Sequence, residues 1–81
     1  MNIVNASDIK PDMPVVCSLD GQFGNVDHME GDTMIKLKKD EHGQHHFIPL
    51  SWVTSTDGGQ VKVDRPGDEA MQQWDTNGPV I

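Results

Sequence analysis

A single cysteine, two phenylalanines, two tryptophans and no tyrosine are all that this 81-residue chain holds of the residues that staple or anchor small domains. Cys17 has no partner for an intramolecular disulfide, so a chain this short must be stable through packing, a metal or oligomerisation. No oxidising compartment is indicated. Long apolar runs are missing too: the longest aliphatic stretch is Val15-Val16-Cys17, far below the roughly 20 residues of a membrane-spanning helix. The N-terminus has no basic segment followed by an apolar one, so no signal peptide is expected. These absences favour a cytoplasmic protein with no membrane partner.

Positive charge is scarce as well. Thirteen Asp and Glu face six Lys and Arg, for a net charge of −7. Residues 1–41 hold 8 acids and 4 bases and residues 42–81 hold 5 and 2, so the acidity is spread along the chain. Nucleic-acid affinity comes largely from neutralising phosphates with Lys and Arg, so direct nucleic-acid binding is disfavoured. The one basic cluster, Lys36, Lys38 and Lys39, runs straight into Asp40 and Glu41 and reads as a solvated strand face.

What is present is 35% apolar residues broken by turn signals. That is too much for a disordered acidic tail. Folding a chain of this mass leaves about 4,900 Å² exposed and hides only about 63% of the unfolded surface, so the core must be thin. Pro11 presets φ for a type I turn, and Pro14 bars continuation of any helix begun at Ser7 to Lys10. Strands are expected at Val15 to Ser18, Phe23 to Met29, Thr33 to Lys38, Gln44 to Leu50, Ser51 to Ser55 and Gln60 to Asp64. Asp20-Gly21 suits a tight hairpin with positive φ between the first two, and Gly24 marks a bulge or a close backbone approach. In the third strand Thr33, Ile35 and Leu37 alternate with Met34, Lys36 and Lys38, which puts the aliphatics inward.

Six short strands with Gly-containing turns predict a small barrel or sandwich. Closure removes two edges that would otherwise pair with other molecules, so a barrel over about residues 14–64 is preferred. From Pro66 the period changes. A proline, two acids in the first turn and apolar residues at Ala70, Met71 and Trp74 predict a short helix over about 66–75, ended by Asn77-Gly78-Pro79. Met71 and Trp74 are expected to pack on the barrel or on a partner. The whole of 1–81 is thus read as one mainly β domain with one C-terminal helix.

Two segments carry a resemblance. DGQFGNVDHMEGDTMIKLKK (residues 20–39) resembles the opening of PRC-barrel domains, in which an Asp-Gly turn precedes a glycine, a valine and an acid. GQHHFIPLSWV (residues 43–53) is similar to small bacterial proteins of that type classed as a domain of unknown function, in which a His-His-aromatic-Ile-Pro-Leu run leads into Trp-Val. The resemblance covers about residues 8–75. It implies a six-stranded β-barrel, found also in the cytoplasmic part of the photosynthetic reaction-centre H subunit and in the ribosome maturation factor that docks onto a ribosomal protein. In both it is an assembly or docking module. These 81 residues carry neither the anchor of the first nor the extra domain of the second, so neither specific role is implied.

The chemistry-bearing residues leave two functional classes. His28, His42, His45 and His46 are the compositional excess. Neighbouring His45 and His46 point to opposite faces of a strand, and one of them is expected to hydrogen-bond a turn and help shape the barrel rim, while His42 and His45 could meet across a loop beside Asp40 or Glu41. A metal- or ligand-binding protein built on His42, His45 and His46 is therefore one class, although zinc sites usually show tighter spacing. Cys17 has no Lys or Arg nearby in sequence, and Ser51 and Ser55 lie near His45, His46 and Asp57 without a nucleophile elbow. No catalytic constellation or cofactor motif emerges, so no cofactor and no enzymatic activity are expected. The other class is a non-catalytic docking module. Phe47, Trp52 and His45 would form its patch if the two rings lie outward, marking a protein interface or a homodimer seam. If they lie inward they are core. The acidic surroundings prefer a basic partner.

Overall fold

A computed structural model describes residues 4–19 and 21–76. Its elements are β1 (Pro14–Val16), β2 (Gln22–Glu30), β3 (Met34–Leu37), β4 (Phe47–Pro49), β5 (Val53–Ser55), β6 (Val61–Val63) and α1 (Gly67–Gln73). They form one six-stranded sheet in the order β4-β3-β2-β1-β6-β5. Only the β1–β6 pair is parallel, with Val15 opposite Val61 and Val16 opposite Lys62, so the sheet is mixed. No helix among the described residues is long and apolar enough to cross a membrane.

All six expected strands form, mostly shorter than their hydrophobic pattern. In β3 the alternation acts as read: Ile35 and Leu37 are buried and Met34 and Lys36 face outward, while Thr33 lies exposed just before the strand. The fourth strand starts at Phe47 rather than Gln44 because Asp40 holds the preceding loop, its Oδ1 accepting N–H bonds from His42 at 2.8 Å and Gln44 at 3.0 Å. Gly43 completes that turn at φ 76°, a conformation disfavoured for residues with a Cβ.

The turn before β1 differs from the type I expectation. Met13 N–H reaches back to the Lys10 carbonyl, and Asp12, third of the four, has φ 71°, the left-handed value of a type II turn. Two outside contacts hold it there: Asp12 N–H donates to the Val26 carbonyl at 2.8 Å, and its carboxylate meets Lys38 Nζ. The Ser7 to Lys10 helix is reduced to a 3-10 turn at Ala6–Asp8. Between β1 and β2, Cys17 N–H bonds the Gly21 carbonyl at 2.8 Å. Gly21 itself is not left-handed, and Asp20 lies outside the described residues. Gly24 marks a close approach: a Cβ there would stand 3.3 Å from Leu37 Cδ1.

The core is a single layer of aliphatics in which Val15, Val26, Ile35, Leu37, Ile48, Val61 and Val63 are fully buried. The sheet curls round it because its two outermost strands are consecutive in sequence. Leu50–Trp52, a 3-10 turn, is all that separates β4 from β5. Leu50 N–H bonds the Thr33 carbonyl and Trp52 carbonyl accepts from Asp64 N–H, so the turn spans from the β3 side to the β6 side. The sheet is nevertheless open, in contrast to the closed barrel expected. No ladder joins β4 to β5 among the described residues. A three-residue corner carries the chain round a bend rather than back on itself, and Pro49 has no N–H to offer.

The helix follows the change of period, with Pro66 as its N-cap and Ala70 buried. Ala70 and Trp74 share the inward face. Met71, one position on and so rotated by about 100°, is 44% exposed, so of the two expected places, the sheet or a partner, it does not pack on the sheet. The Asn77-Gly78-Pro79 stop lies outside the described residues. Past the helix, Asp75 pairs with Phe47 through two backbone bonds of 2.7 and 2.9 Å, so residues 74–76 run along the outer edge of β4.

Candidate functional site

The structure separates the histidines. His28 sits on β2, its Nδ1 3.1 Å from Asp27 and its Nε2 3.2 Å from Glu30. Bonding to Asp27 above all holds its pKa above the ordinary value, and the same contact lowers that of Asp27. His45 donates Nδ1–H to the Leu37 carbonyl at 2.8 Å and faces Asp27 at 3.8 Å. The His42 ring is exposed, its Nε2 3.7 Å from Glu41. The three metal candidates His42, His45 and His46 therefore have three different sets of partners. No group of three or more His, Cys, Asp or Glu arranged to hold a metal exists among the described residues.

His46 is the buried polar side chain among the described residues, 7% exposed. Its ring lies flat on Trp74, centroids 3.7 Å apart and planes 8° from parallel. Nε2 is 2.7 Å from Asp40 Oδ2 and Nδ1 is 3.2 Å from Thr76 Oγ1. A carboxylate only accepts, so Nε2 carries a hydrogen, and in the neutral ring Nδ1 accepts from the Thr76 hydroxyl. The His46 bond, reinforced by the Gln44 and His42 amides, holds the Asp40 carboxyl down at about 2. Asp40, His46 and Thr76 thus form a line of hydrogen bonds tying the β3–β4 loop to the segment after α1. The histidine bond to a turn expected at position 45 or 46 is the one His46 makes to Asp40. Its reach to Trp74 and Thr76 had no signal in the sequence, because both lie about 30 residues away. A void of about 90 Å³ lies beside it, bordered by Phe23, Leu37, Lys38, Lys39 and Trp74.

Neither Phe47 nor Trp52 lies outward. They are 8% and 9% exposed. Arg65 covers the Trp52 ring at 3.9 Å and is itself held by Asp64 and Gln73. Lys36 leans over Phe47 at 5.9 Å. Of the expected patch, only His45 keeps partial exposure. Ser51 and Ser55 have no hydrogen bond to a histidine; Ser55 Oγ accepts the Asp57 N–H. Cys17 is free and buried, its thiol pKa lowered first by the Leu19 backbone amide and then by those of Gly21 and Gly67. Leu19 and Gly21 belong to the turn that follows Cys17, while Gly67 comes from α1, 50 residues on, and had no signal in the sequence.

The larger concavity lies where the sheet is open. A groove of about 510 Å³ is lined by Val4, Thr33, Met34, Pro49, Leu50, Ser51 and Val53. Its position follows from the fold: Pro49 ends β4, the 3-10 corner turns away, Val53 begins β5, and the unclosed seam is left with Met34 and Leu50 half-buried on its walls. Volumes of about 300–1,000 Å³ with mostly apolar linings are those of ligand-binding clefts. No stretch of the chain signals it directly, because a groove at a failed closure belongs to no single motif.

No curated protein and no solved structure matches this chain. A family model does, over residues 9–71, which takes in every strand and all but the last two residues of α1. By that match the chain belongs to DUF2171, the family described as an uncharacterized protein conserved in bacteria.

Proposed function

We propose that this domain is a non-catalytic docking module of PRC-barrel type, cytoplasmic in location, that receives a segment of a protein partner in the groove between β4 and β5. The observation that carries the reading is the groove itself. It is mostly apolar, it is larger than the void beside His46, and it sits where β4 and β5 do not pair with each other, beside a core of buried aliphatics. The resemblance of residues 20–39 and 43–53 to PRC-barrel domains supports the same role, since those relatives use the fold for assembly. The sheet's curl round one layer of aliphatics is compatible with that fold, although its seam is open.

The Phe47 and Trp52 route to docking is set aside because both rings are spent inside. The Asp40–His46–Thr76 line is read as a tie rather than a catalytic relay. Its imidazole is covered by Trp74 on one face and has both nitrogens engaged. A histidine-centred metal reading draws no support from rings with separate partners.

Display of random peptides against the immobilised domain tests the proposal. Selected peptides are expected to bind the parent and to lose binding to Leu50→Ser and Met34→Ser variants that retain the parent's circular dichroism. Failure to select any binder, or binders indifferent to both substitutions, would refute the groove as a docking site.

A further inference from the structure

Resting on the docking reading, we propose that the groove is selective for an extended partner segment in which an aliphatic side chain is followed closely by Lys or Arg. Five of the seven lining residues, Val4, Met34, Pro49, Leu50 and Val53, are apolar, while Thr33 and Ser51 add hydroxyls. Such a floor rewards burial of an aliphatic group and orients it with a few polar contacts. No lining residue is charged, so the sign of the partner is set at the rim.

That rim is acidic. Among the residues adjoining the lining positions in sequence, Asp32, beside Thr33, is the charged one. Glu30 stands directly across the β2–β3 ladder from Met34. Both acids are exposed. Glu30 shares its charge with His28, leaving Asp32 as the stronger point of attraction. The nearest cation along β3, Lys36, is turned over the Phe47 ring. The acidic end of the groove therefore repels a carboxylate and attracts an ammonium or guanidinium, an effect that fixes specificity and orientation more than raw affinity.

The same charges decide between occupants. A second copy of this chain also carries −7, so pairing two such faces brings like charges together. A fatty acid would fill the apolar floor but place its carboxylate near Asp32. A basic, aliphatic segment satisfies both the floor and the rim.

Two blocked synthetic peptides separate the possibilities in a ¹⁵N-amide titration: a Leu-Val-Leu core followed by two lysines, and the same core followed by two glutamates. The lysine probe is expected to move the amides of Thr33, Met34, Leu50, Ser51 and Val53 and to bind about 3- to 10-fold tighter at low salt, with the preference shrinking in high salt. Asp32→Lys should erase or reverse the preference without removing the shifts, and Leu50→Ser should remove binding of both probes. Equal affinity for the two peptides at these amides would overturn the charge selectivity while leaving the groove as a docking site. Absence of groove shifts with both peptides would overturn the docking reading as well. Concentration-dependent groove shifts without peptide would replace the partner by a second copy, and shifts with decanoate but neither peptide would replace it by a lipid.

Discussion

Replacing Trp74 by alanine should remove the tie that fastens the C-terminal segment to the sheet. The indole lies 3.7 Å from the His46 ring in a near-parallel stack and 6.1 Å from the Phe23 ring, tilted by 47°. Truncating a fully buried tryptophan costs about 3–5 kcal/mol, and Trp74 is only half-buried. Half of that burial term, together with the lower end of the roughly 0.5–1.5 kcal/mol for an aromatic pair, gives about 2–3 kcal/mol. A domain of this length has about 4–12 kcal/mol in all. The variant should therefore melt about 10 °C or more below the parent. Urea unfolding followed by far-ultraviolet circular dichroism reads the free energy, and Trp52 remains as an independent fluorescent reporter. Trp74→Phe, which keeps a stacking ring, should recover about half of the loss. The local signature is magnetic: ring current from a stacked indole moves the His46 ring protons upfield, and they should return downfield in Trp74→Ala. A cost below about 0.5 kcal/mol with unmoved His46 resonances would show that the stack contributes nothing and that the argument for a tie is wrong.

Further outcomes follow from other contacts. Asp40 has a folded pKa of about 2, below its unfolded value of 3.8. Its contribution is therefore full above pH about 4 and fades as pH falls toward 2; urea midpoints across that window should decline more steeply in the parent than in Asp40→Asn. His28 is shifted the other way, so its contribution is full below 6.5 and lost as pH rises through its higher folded value. Proton NMR should find it titrating above 6.5, and Glu30→Gln and Asp27→Asn should each bring it down. Gly24→Ala places a methyl 3.3 Å from Leu37 Cδ1 and should cost about 1 kcal/mol in urea unfolding; a neutral result would show that Leu37 gives way freely. Thermal shift with Zn²⁺, Ni²⁺ and Cu²⁺ should leave the melting point in place, and marked stabilisation abolished by His45→Ala would reinstate a metal role.

The sequence made the sheet legible because strand signals are local. Ile35 and Leu37 could be placed inward from alternation alone, and Gly31 and Gly58 punctuate turns in which both take left-handed φ. The edges were not legible. Pairing of β1 with β6 joins residues far apart in the chain, and the open seam depends on where a three-residue corner points. Position 12 escaped because an aspartate is left-handed only when its surroundings, here the Val26 carbonyl and Lys38, hold it there. Phe47 and Trp52 could be named as important and not oriented: an aromatic on a short strand serves a core or a surface equally well until its neighbours are known. The Asp40–His46–Thr76 line spans 36 residues from first to last, and no spacing rule reaches across such a distance.

The parallel pairing of β1 with β6 bears on the order of assembly. β2, β3 and β4 each lie beside the strand before them in the chain, so that half of the sheet can form by successive antiparallel additions from β1 onward. The other side of β1 is filled by Val61 and Lys62. During synthesis a central strand therefore stands as a temporary edge until three quarters of the chain has emerged, and closing that loop costs more chain entropy than any of the sheet's antiparallel pairings. β1 is only three residues long and begins at a proline, which keeps this transient edge a poor template for pairing with another chain.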